Sequence, residues 1–153
     1  MKITDFLRPD LVLPQLRGHD KQSVLEELTE HLATHVPGLT RDHLLQVLLD
    51  REALASTAIG EGVAIPHGKL NSIDRLSACI GRSLGGVDFK SMDGHPTYIF
   101  VTLVAPEHST GEHLKALARI SRLFKDADFR TRLMAAPDAE EIYRLVSSED
   151  SKY

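Results

Sequence analysis

The sequence has no tryptophan, few aromatic residues and a single cysteine, Cys79, in 153 residues. One cysteine excludes an internal disulfide and a Cys-based metal cluster. Chains that fold without disulfides are typical of reducing compartments, so we expect a cytoplasmic protein. Cys79 lies in a strand-like pattern and is interpreted as a small buried side chain.

Long apolar runs and an excess of basic charge are also missing. The longest apolar run, residues 98–105, is far shorter than the ~20 residues that cross a bilayer. No apolar segment follows the mixed charges of residues 1–8, so we expect no secretory signal. There are 18 Lys and Arg against 22 Asp and Glu, whereas proteins that bind phosphate backbones are basic. We therefore expect neither a nucleic-acid partner nor a membrane-embedded chain.

The composition otherwise fits a folded globular chain, with 42% hydrophobic and 26% charged residues. The length fits one domain. We expect residues 1–153 to form that domain, with a flexible tail from about residue 148.

The first third of the chain has the 3.6-residue period of helices. Asp20 is predicted to cap a helix that ends before Pro37, and Thr40 to cap the next one. The apolar positions of the second helix are dense enough to predict burial on most of its sides.

Three more helices are predicted near the C-terminus. Ser109 and Glu112 fit the S/T-x-x-E capping box at the first of them. Asp126 and Asp138 are predicted to begin the other two.

The middle of the chain has strand-like patterns instead. Residues 63–65 form a short apolar run, residues 76–82 alternate like a half-exposed strand, and residues 98–104 read as a central strand. Residues 88–96 are typical of a turn between strands. Helices on both sides of these strands predict an α/β fold, a three-layer α/β/α domain with a small mixed central sheet flanked by helices.

The segment around His67 is the most unusual part of the sequence. Pro66 fixes its own φ and favours an extended residue before it, so His67 is expected at a stiff strand end. Gly68 has no side chain to obstruct the imidazole. A rigid histidine beside backbone amides suits nucleophilic attack on an anionic group such as phosphate. The same triplet also fits a plain strand exit with a polar residue at its rim, and the residues alone leave both interpretations open.

The sequence gives less support to nucleotide binding and to metal binding. The spacing from Gly62 to Gly68 is one residue too long for a P-loop, and Leu70 stands where that motif needs a hydroxyl. His31 and His35 lie one helical turn apart, a spacing that can chelate zinc, but no third ligand is evident. We therefore expect no metal and no cofactor.

A second histidine falls at a helix start. His113 lies in the first turn after Ser109, where free N–H groups and the helix dipole favour an anion. An imidazole there could donate to a phosphoryl oxygen, although a solvent-facing histidine fits the same position. His108, in the preceding loop, is a weaker candidate for that role.

Residues 56–70, S-T-A-I-G-E-G-V-A-I-P-H-G-K-L, resemble the phosphorylation-site segment of enzyme IIA components of the bacterial phosphoenolpyruvate-dependent phosphotransferase system. The resemblance extends over nearly the whole chain. It is to the fructose/mannitol/nitrogen-regulatory branch, with the nitrogen-regulatory type nearest. Two positions depart from the pattern: Ala58 stands where the family usually has Gly, and Glu61 where the nitrogen type often has Asn.

The resemblance implies roles for individual residues. His67 matches the phosphorylated nucleophile, while His113 and Arg51 match side chains that stabilise the phosphoryl group. Thr57 and its neighbour Ser56, with Gly68, lie in the part of the motif expected to bind phosphate or a partner.

The implied function is that of a phosphoryl carrier. His67 would accept the group from a small histidine-containing phosphocarrier protein (HPr-like), without a metal or nucleotide. The nitrogen-regulatory likeness implies a regulatory output, linked to nitrogen or potassium, through downstream target proteins. Two alternatives remain: a sugar-transport enzyme IIA that serves a separate membrane permease, and a non-enzymatic interaction module.

Overall fold

A mixed sheet of six strands lies at the centre of the computed structural model, which describes residues 1–153. The strands are β1 (Val12–Leu13), β2 (Ala58–Gly60), β3 (Val63–Ala64), β4 (His67–Leu70), β5 (Ser77–Val87) and β6 (Thr97–Pro106). The sheet has the order β1-β5-β6-β3-β2, and β4 also pairs with β6. β6 runs antiparallel to β5 and parallel to β3 and β4. The prediction of a central strand at 98–104 is confirmed.

Five α-helices surround this sheet. They are α1 (Lys21–His35), α2 (Arg41–Leu54), α3 (Thr110–Leu123), α4 (Ala127–Ala135) and α5 (Ala139–Asp150). α1 packs against α2, α3 lies beside β6, and α5 lies beside β1. One continuous cluster of buried hydrophobic side chains joins the helices to the sheet. The predicted α/β fold with a mixed sheet is confirmed. No helix combines the length and the apolar character that crossing a bilayer requires.

Three of the predicted helix starts have the expected caps. The carboxylates of Asp20, Asp126 and Asp138 each accept a hydrogen bond from the backbone N–H three residues later. The predicted capping box at Ser109 is wrong. Its hydroxyl donates to the carbonyl of Pro106 at 2.9 Å, so it is bound to the preceding loop and not to the helix.

Two predictions of burial also need correction. α2 buries only Leu44, Leu48 and Glu52, because just this stripe is covered, and Leu54 is 81% exposed. The strand predicted at 76–82 is buried rather than half-exposed, because α1 packs against β5 and its apolar side chains belong to the hydrophobic core.

The last helix extends past residue 148, where the sequence analysis placed the start of a flexible tail. α5 continues to Asp150, whose buried carboxylate accepts from the backbone N–H of Ile3 at 2.7 Å and from Arg119 Nε at 2.6 Å. The helix therefore includes residues 148–150 that the sequence assigned to a tail, because these contacts hold its last turn against the N-terminus.

Candidate active site

The strand that carries His67 was not predicted as a strand. His67 begins β4 and lies opposite Leu103 of the central strand β6. The carbonyl oxygen of Pro66 accepts from the backbone N–H of Leu103 at 2.9 Å. His67 is therefore held at the start of a paired strand, and not at a strand exit as its flanking residues suggested.

The imidazole of His67 is half-buried and held by its own backbone. Its Nδ1 lies 2.7 Å from the carbonyl oxygen of Ile65. A carbonyl oxygen can only accept, so the hydrogen of the neutral ring belongs on Nδ1. This tautomer leaves the lone pair on Nε2, which is the nitrogen available for nucleophilic attack.

The surroundings keep this ring neutral. Burial lowers the pKa of His67 below its usual 6.5, and the positive charge of Arg51 lowers it further. The carbonyl of Ile65 and the negative charge of Glu52 act in the opposite direction. The net lowering means that His67 is an uncharged imidazole at neutral pH.

His113 lies beside His67 in the first turn of α3. The two ring centroids are 5.6 Å apart and the ring planes are inclined by 51°. His113 is buried, and burial together with the charges of His67 and Lys69 lowers its pKa to about 4. Its Nδ1 is buried without a hydrogen-bond partner. His113 is thus a second neutral imidazole, placed at the amide-rich end of a helix.

A cleft of about 390 Å³ brings most of the predicted residues together. Arg51, His67, Gly68 and His113 all line it. Arg51 donates one N–H to the carbonyl of Ala55 at 2.9 Å, and its other N–H groups have no protein acceptor. The cleft therefore combines a nucleophilic nitrogen with free cationic donors.

Four other cleft residues were not predicted; they are Val47, Asp50, Leu54 and Lys69. Lys69 Nζ donates to the hydroxyl of Thr110 at 3.0 Å, at the start of α3. The spacing of Lys69 from His67 could have identified it, because residues two apart in a strand point to the same side.

Ser56 and Thr57 do not line the cleft. The hydroxyl of Ser56 donates to the carbonyl of Phe89 at 3.1 Å. Thr57 is buried, and its hydroxyl donates to the carboxylate of Glu52. Both hydroxyls are thus engaged within the protein.

Glu52 is a further residue that the sequence analysis missed, in addition to the four in the cleft. Only 2% of its side chain is exposed, yet it holds a carboxylate that accepts from Thr57 and from Lys21. Its position was readable, since Leu44, Leu48 and Glu52 repeat every four residues on one face of α2.

The remaining candidates lie elsewhere. The ring centroids of His31 and His35 are 4.2 Å apart. However, Nε2 of His31 contacts the carbonyl oxygen of Asp10, and Nδ1 of His35 contacts the carbonyl oxygen of His31. No three His, Cys, Asp or Glu side chains are arranged to hold a metal ion. His108 is not among the residues that line the cleft.

Comparison with known proteins identifies a matching protein family and a similar nitrogen regulatory protein. Residues 5–149 match the family described as phosphoenolpyruvate-dependent sugar phosphotransferase system, EIIA 2. The nitrogen regulatory protein of Bradyrhizobium diazoefficiens is 42% identical over 96% of this chain and 95% of its own length.

Two further relatives agree with this match. The fructose-specific EIIABC component of Bacillus subtilis is 33% identical over 98% of this chain, which corresponds to 24% of that longer protein. The crystal structure of nitrogen regulatory protein IIA-Ntr from Neisseria meningitidis superimposes with a TM-score of 0.88 at 30% identity. It covers 94% of this chain and 98% of that one.

Proposed function

Because this chain belongs to the phosphoenolpyruvate-dependent sugar phosphotransferase system EIIA 2 family, whose members are phosphotransferase-type proteins, we propose that His67 carries its phosphoryl group. The observation that supports this most is the contact between Nδ1 and the carbonyl of Ile65. It leaves Nε2 of a neutral ring as the nucleophile, in a cleft with cationic donors.

The donor in this proposal is the phosphohistidine of a small HPr-like phosphocarrier protein. The lone pair on Nε2 forms the new N–P bond while the N–P bond of the donor breaks. The electron pair of the broken bond stays on the donor imidazole, which takes up a proton. The ring of His67 holds positive charge until its Nδ1 proton is released, and the carbonyl of Ile65 stabilises that charge.

Neighbouring side chains position and neutralise the phosphoryl oxygens. Phosphoryl transfer spreads charge over these oxygens, so fixed donors supply most of the catalysis. Arg51 has guanidinium N–H groups without a protein acceptor, and His113 is a neutral ring beside His67. We assign both to this role, with the backbone around Gly68 as a further contact.

We propose a structural role for Ser56 and Thr57. Their hydroxyls already donate to Phe89 and Glu52, respectively. We therefore assign them to the shape of the loop before β2, and not to contact with the phosphoryl oxygens.

The proposed output is regulatory, linked to nitrogen or potassium. The phosphorylation state of His67 would decide which downstream target protein binds. This part rests on the identity of 42% to a nitrogen regulatory protein matched over 95% of its length. We expect these events in the cytoplasm, where the phosphocarrier works.

A sugar-transport role is the second candidate. It is favoured by the 33% identity to a fructose-specific component of a larger protein. In that case phospho-His67 would pass its group rapidly to an EIIB domain of a permease. A regulator would keep the group in the presence of the same domain.

One labelling experiment tests the carrier function. The protein is incubated with labelled phosphoenolpyruvate, enzyme I and HPr, and the product is assayed for an adduct that is labile in acid and stable in base. We expect the adduct in the wild type and in a control, His95→Ala, whose histidine is exposed outside the cleft. We expect none in His67→Ala. Label on His67→Ala, or none on the wild type, overturns the proposal, and the latter result favours a non-enzymatic interaction module.

A further inference from the structure

The carboxylate of Glu52 is buried in the last turn of α2, one residue after Arg51 of the cleft, and it accepts from three donors. It accepts from the backbone N–H of Thr57 at 3.1 Å, from the hydroxyl of the same residue, and from Lys21 Nζ at 3.0 Å. Removing a carboxylate from water is costly unless such donors replace the lost hydration. Glu52 therefore fixes Thr57 firmly to the last turn of α2.

The contacts continue from Thr57 to the nucleophile. The carbonyl of Thr57 accepts from the backbone N–H of Ile65 at 3.0 Å. The carbonyl of Ile65 in turn accepts from Nδ1 of His67 at 2.7 Å. Pro66 restrains the backbone between these last two residues. A displacement of Thr57 would thus shift the carbonyl that selects the tautomer of His67.

We propose that Glu52 is a positioning residue for phosphoryl transfer, and that it acts through Thr57 and Ile65 to keep Nε2 of His67 unprotonated and aimed into the cleft. This inference rests on the proposed function of His67. In this role, the buried contact between Glu52 and Thr57 affects the protonation and the orientation of Nε2 of His67.

The charge of Glu52 has a separate effect from its contacts, because it raises the pKa of the free ring and favours the positive charge that develops during transfer. The pKa values of the two imidazoles respond to Arg51, Glu52 and Lys69, together with the other histidine. The carboxylate of Asp50 also lines the cleft, where it accepts from Gln46 at 2.7 Å. Among the groups that shift these pKa values, only Glu52 is negative, and it raises the pKa of His67. The ring becomes positive as the N–P bond forms, so a fixed negative charge nearby favours the transfer.

Lys21 holds the carboxylate from the other side. It lies at the start of α1, with Nζ 3.0 Å from Glu52 and 4.9 Å from the centroid of the Phe89 ring. The carboxylate thus joins α1, α2 and the loop before β2. If the role of Glu52 is purely structural, it links these three segments and has no effect on His67. The experiment must distinguish this structural role from positioning of His67.

The decisive variants are Glu52→Gln, Thr57→Val and Thr57→Ser. Glu52→Gln keeps the shape and removes the charge. Thr57→Val removes the hydroxyl, and Thr57→Ser keeps it as a conservative rescue. The matched control is Glu149→Gln, since Glu149 is also a buried glutamate with a lysine partner, and its ion pairs are with Arg132 of α4 and Lys152 of the C-terminal segment.

Two readouts on His67 distinguish positioning from stability. The ¹⁵N shifts of its ring report the tautomer and the pKa without any phosphorylation, and the labelling assay reports the rate of transfer from HPr. In Glu52→Gln we expect a lower pKa of His67, less of the Nδ1–H tautomer, and transfer slower by about tenfold to a hundredfold. Thr57→Val should share the tautomer change and slower transfer, whereas Thr57→Ser should behave like the wild type.

Glu149→Gln should lower the melting temperature without changing the ring shifts of His67. Unchanged ring shifts and transfer rate in Glu52→Gln and Thr57→Val would overturn the inference. If Glu52→Gln fails to fold, the comparison of Thr57→Val with Thr57→Ser decides the question. If wild-type His67 accepts no label, the carrier function fails, yet the ring shifts still test whether Glu52 sets the tautomer.

Discussion

His67 and His113 face each other with ring centroids 5.6 Å apart, and both have a lowered pKa. Burial is the main cause for each, and a proton on one ring would oppose a proton on the other. The pair is therefore uncharged at neutral pH. This state suits an incoming phosphoryl group, because one ring then offers a lone pair and the other an N–H.

The first prediction concerns stability against pH. The pKa of His113 is about 4 in the folded protein and about 6.5 when unfolded. Between these values the unfolded chain binds a proton that the folded chain does not, so the free energy of unfolding rises with pH. We expect a loss of up to about 3 kcal/mol from His113 as the pH falls from 7 to 4. Urea unfolding at a series of pH values measures it.

His113→Gln is the control for this loss. It removes the titrating group, so its stability should depend less on pH between 6.5 and 4 than that of the wild type. Equal pH dependence in the two proteins would contradict the lowered pKa of His113.

The second prediction concerns Arg51. Its unpaired guanidinium N–H groups can bind two phosphoryl oxygens at once, which a lysine ammonium cannot do in the same planar geometry. We expect Arg51→Gln to slow phosphorylation of His67 by about a hundredfold, and Arg51→Lys to recover only part of the rate. Rapid-quench labelling from HPr measures both. Arg41→Gln, at the start of α2 and outside the cleft, should match the wild type, and a normal rate in Arg51→Gln would exclude the proposed role.

Local signals in the sequence pointed to His67 as one candidate residue of the site, whereas the role of Arg51 was implied only by the family resemblance. The restraint imposed by Pro66 and the missing side chain of Gly68 mark His67 within three consecutive residues. The apolar run at 98–104 identifies the central strand without knowledge of its neighbours, since a strand covered on both faces needs no alternation.

The unpredicted parts depend on contacts between distant segments. The burial of Glu52 requires Lys21, which comes from another helix, and such a partner cannot be read from the pattern of α2 alone. The hydroxyl of Ser109 fits a capping box by spacing, yet the carbonyl of Pro106 competes for it. Local patterns predict which groups are available, and tertiary packing selects their partners.

The third prediction tests the C-terminal boundary. Asp150 joins α5 to the N-terminus and to Arg119, and its carboxylate is almost fully buried. Breaking a buried pair leaves an unpaired charge, so Asp150→Ala should cost about 3–5 kcal/mol. Deletion of residues 151–153, which are exposed, should cost about 1 kcal/mol or less. Denaturant unfolding compares them, and equal small losses would instead favour a flexible tail from about residue 148.

The fourth prediction concerns the contact between β4 and α2 at Gly68. A Cβ atom on this residue would lie 2.5 Å from Cγ1 of Val47, which is too close, so the helix is seated directly on the strand backbone. Gly68→Ala should therefore cost about 1–3 kcal/mol of stability. It should also slow phosphorylation, because α2 carries Arg51 one turn further on.

A double-mutant cycle isolates this cause. Val47→Ala removes the methyl group that a Cβ on residue 68 would strike, and the next atom, Cδ2 of Leu48, is 3.7 Å away. Gly68→Ala should thus be far less destabilising in the Val47→Ala background, with a coupling of about 1–3 kcal/mol. Denaturant unfolding of the four proteins gives the coupling. If the two losses simply add, the close approach of Val47 does not explain why residue 68 needs to be glycine, and a direct role of its backbone in phosphate binding gains support.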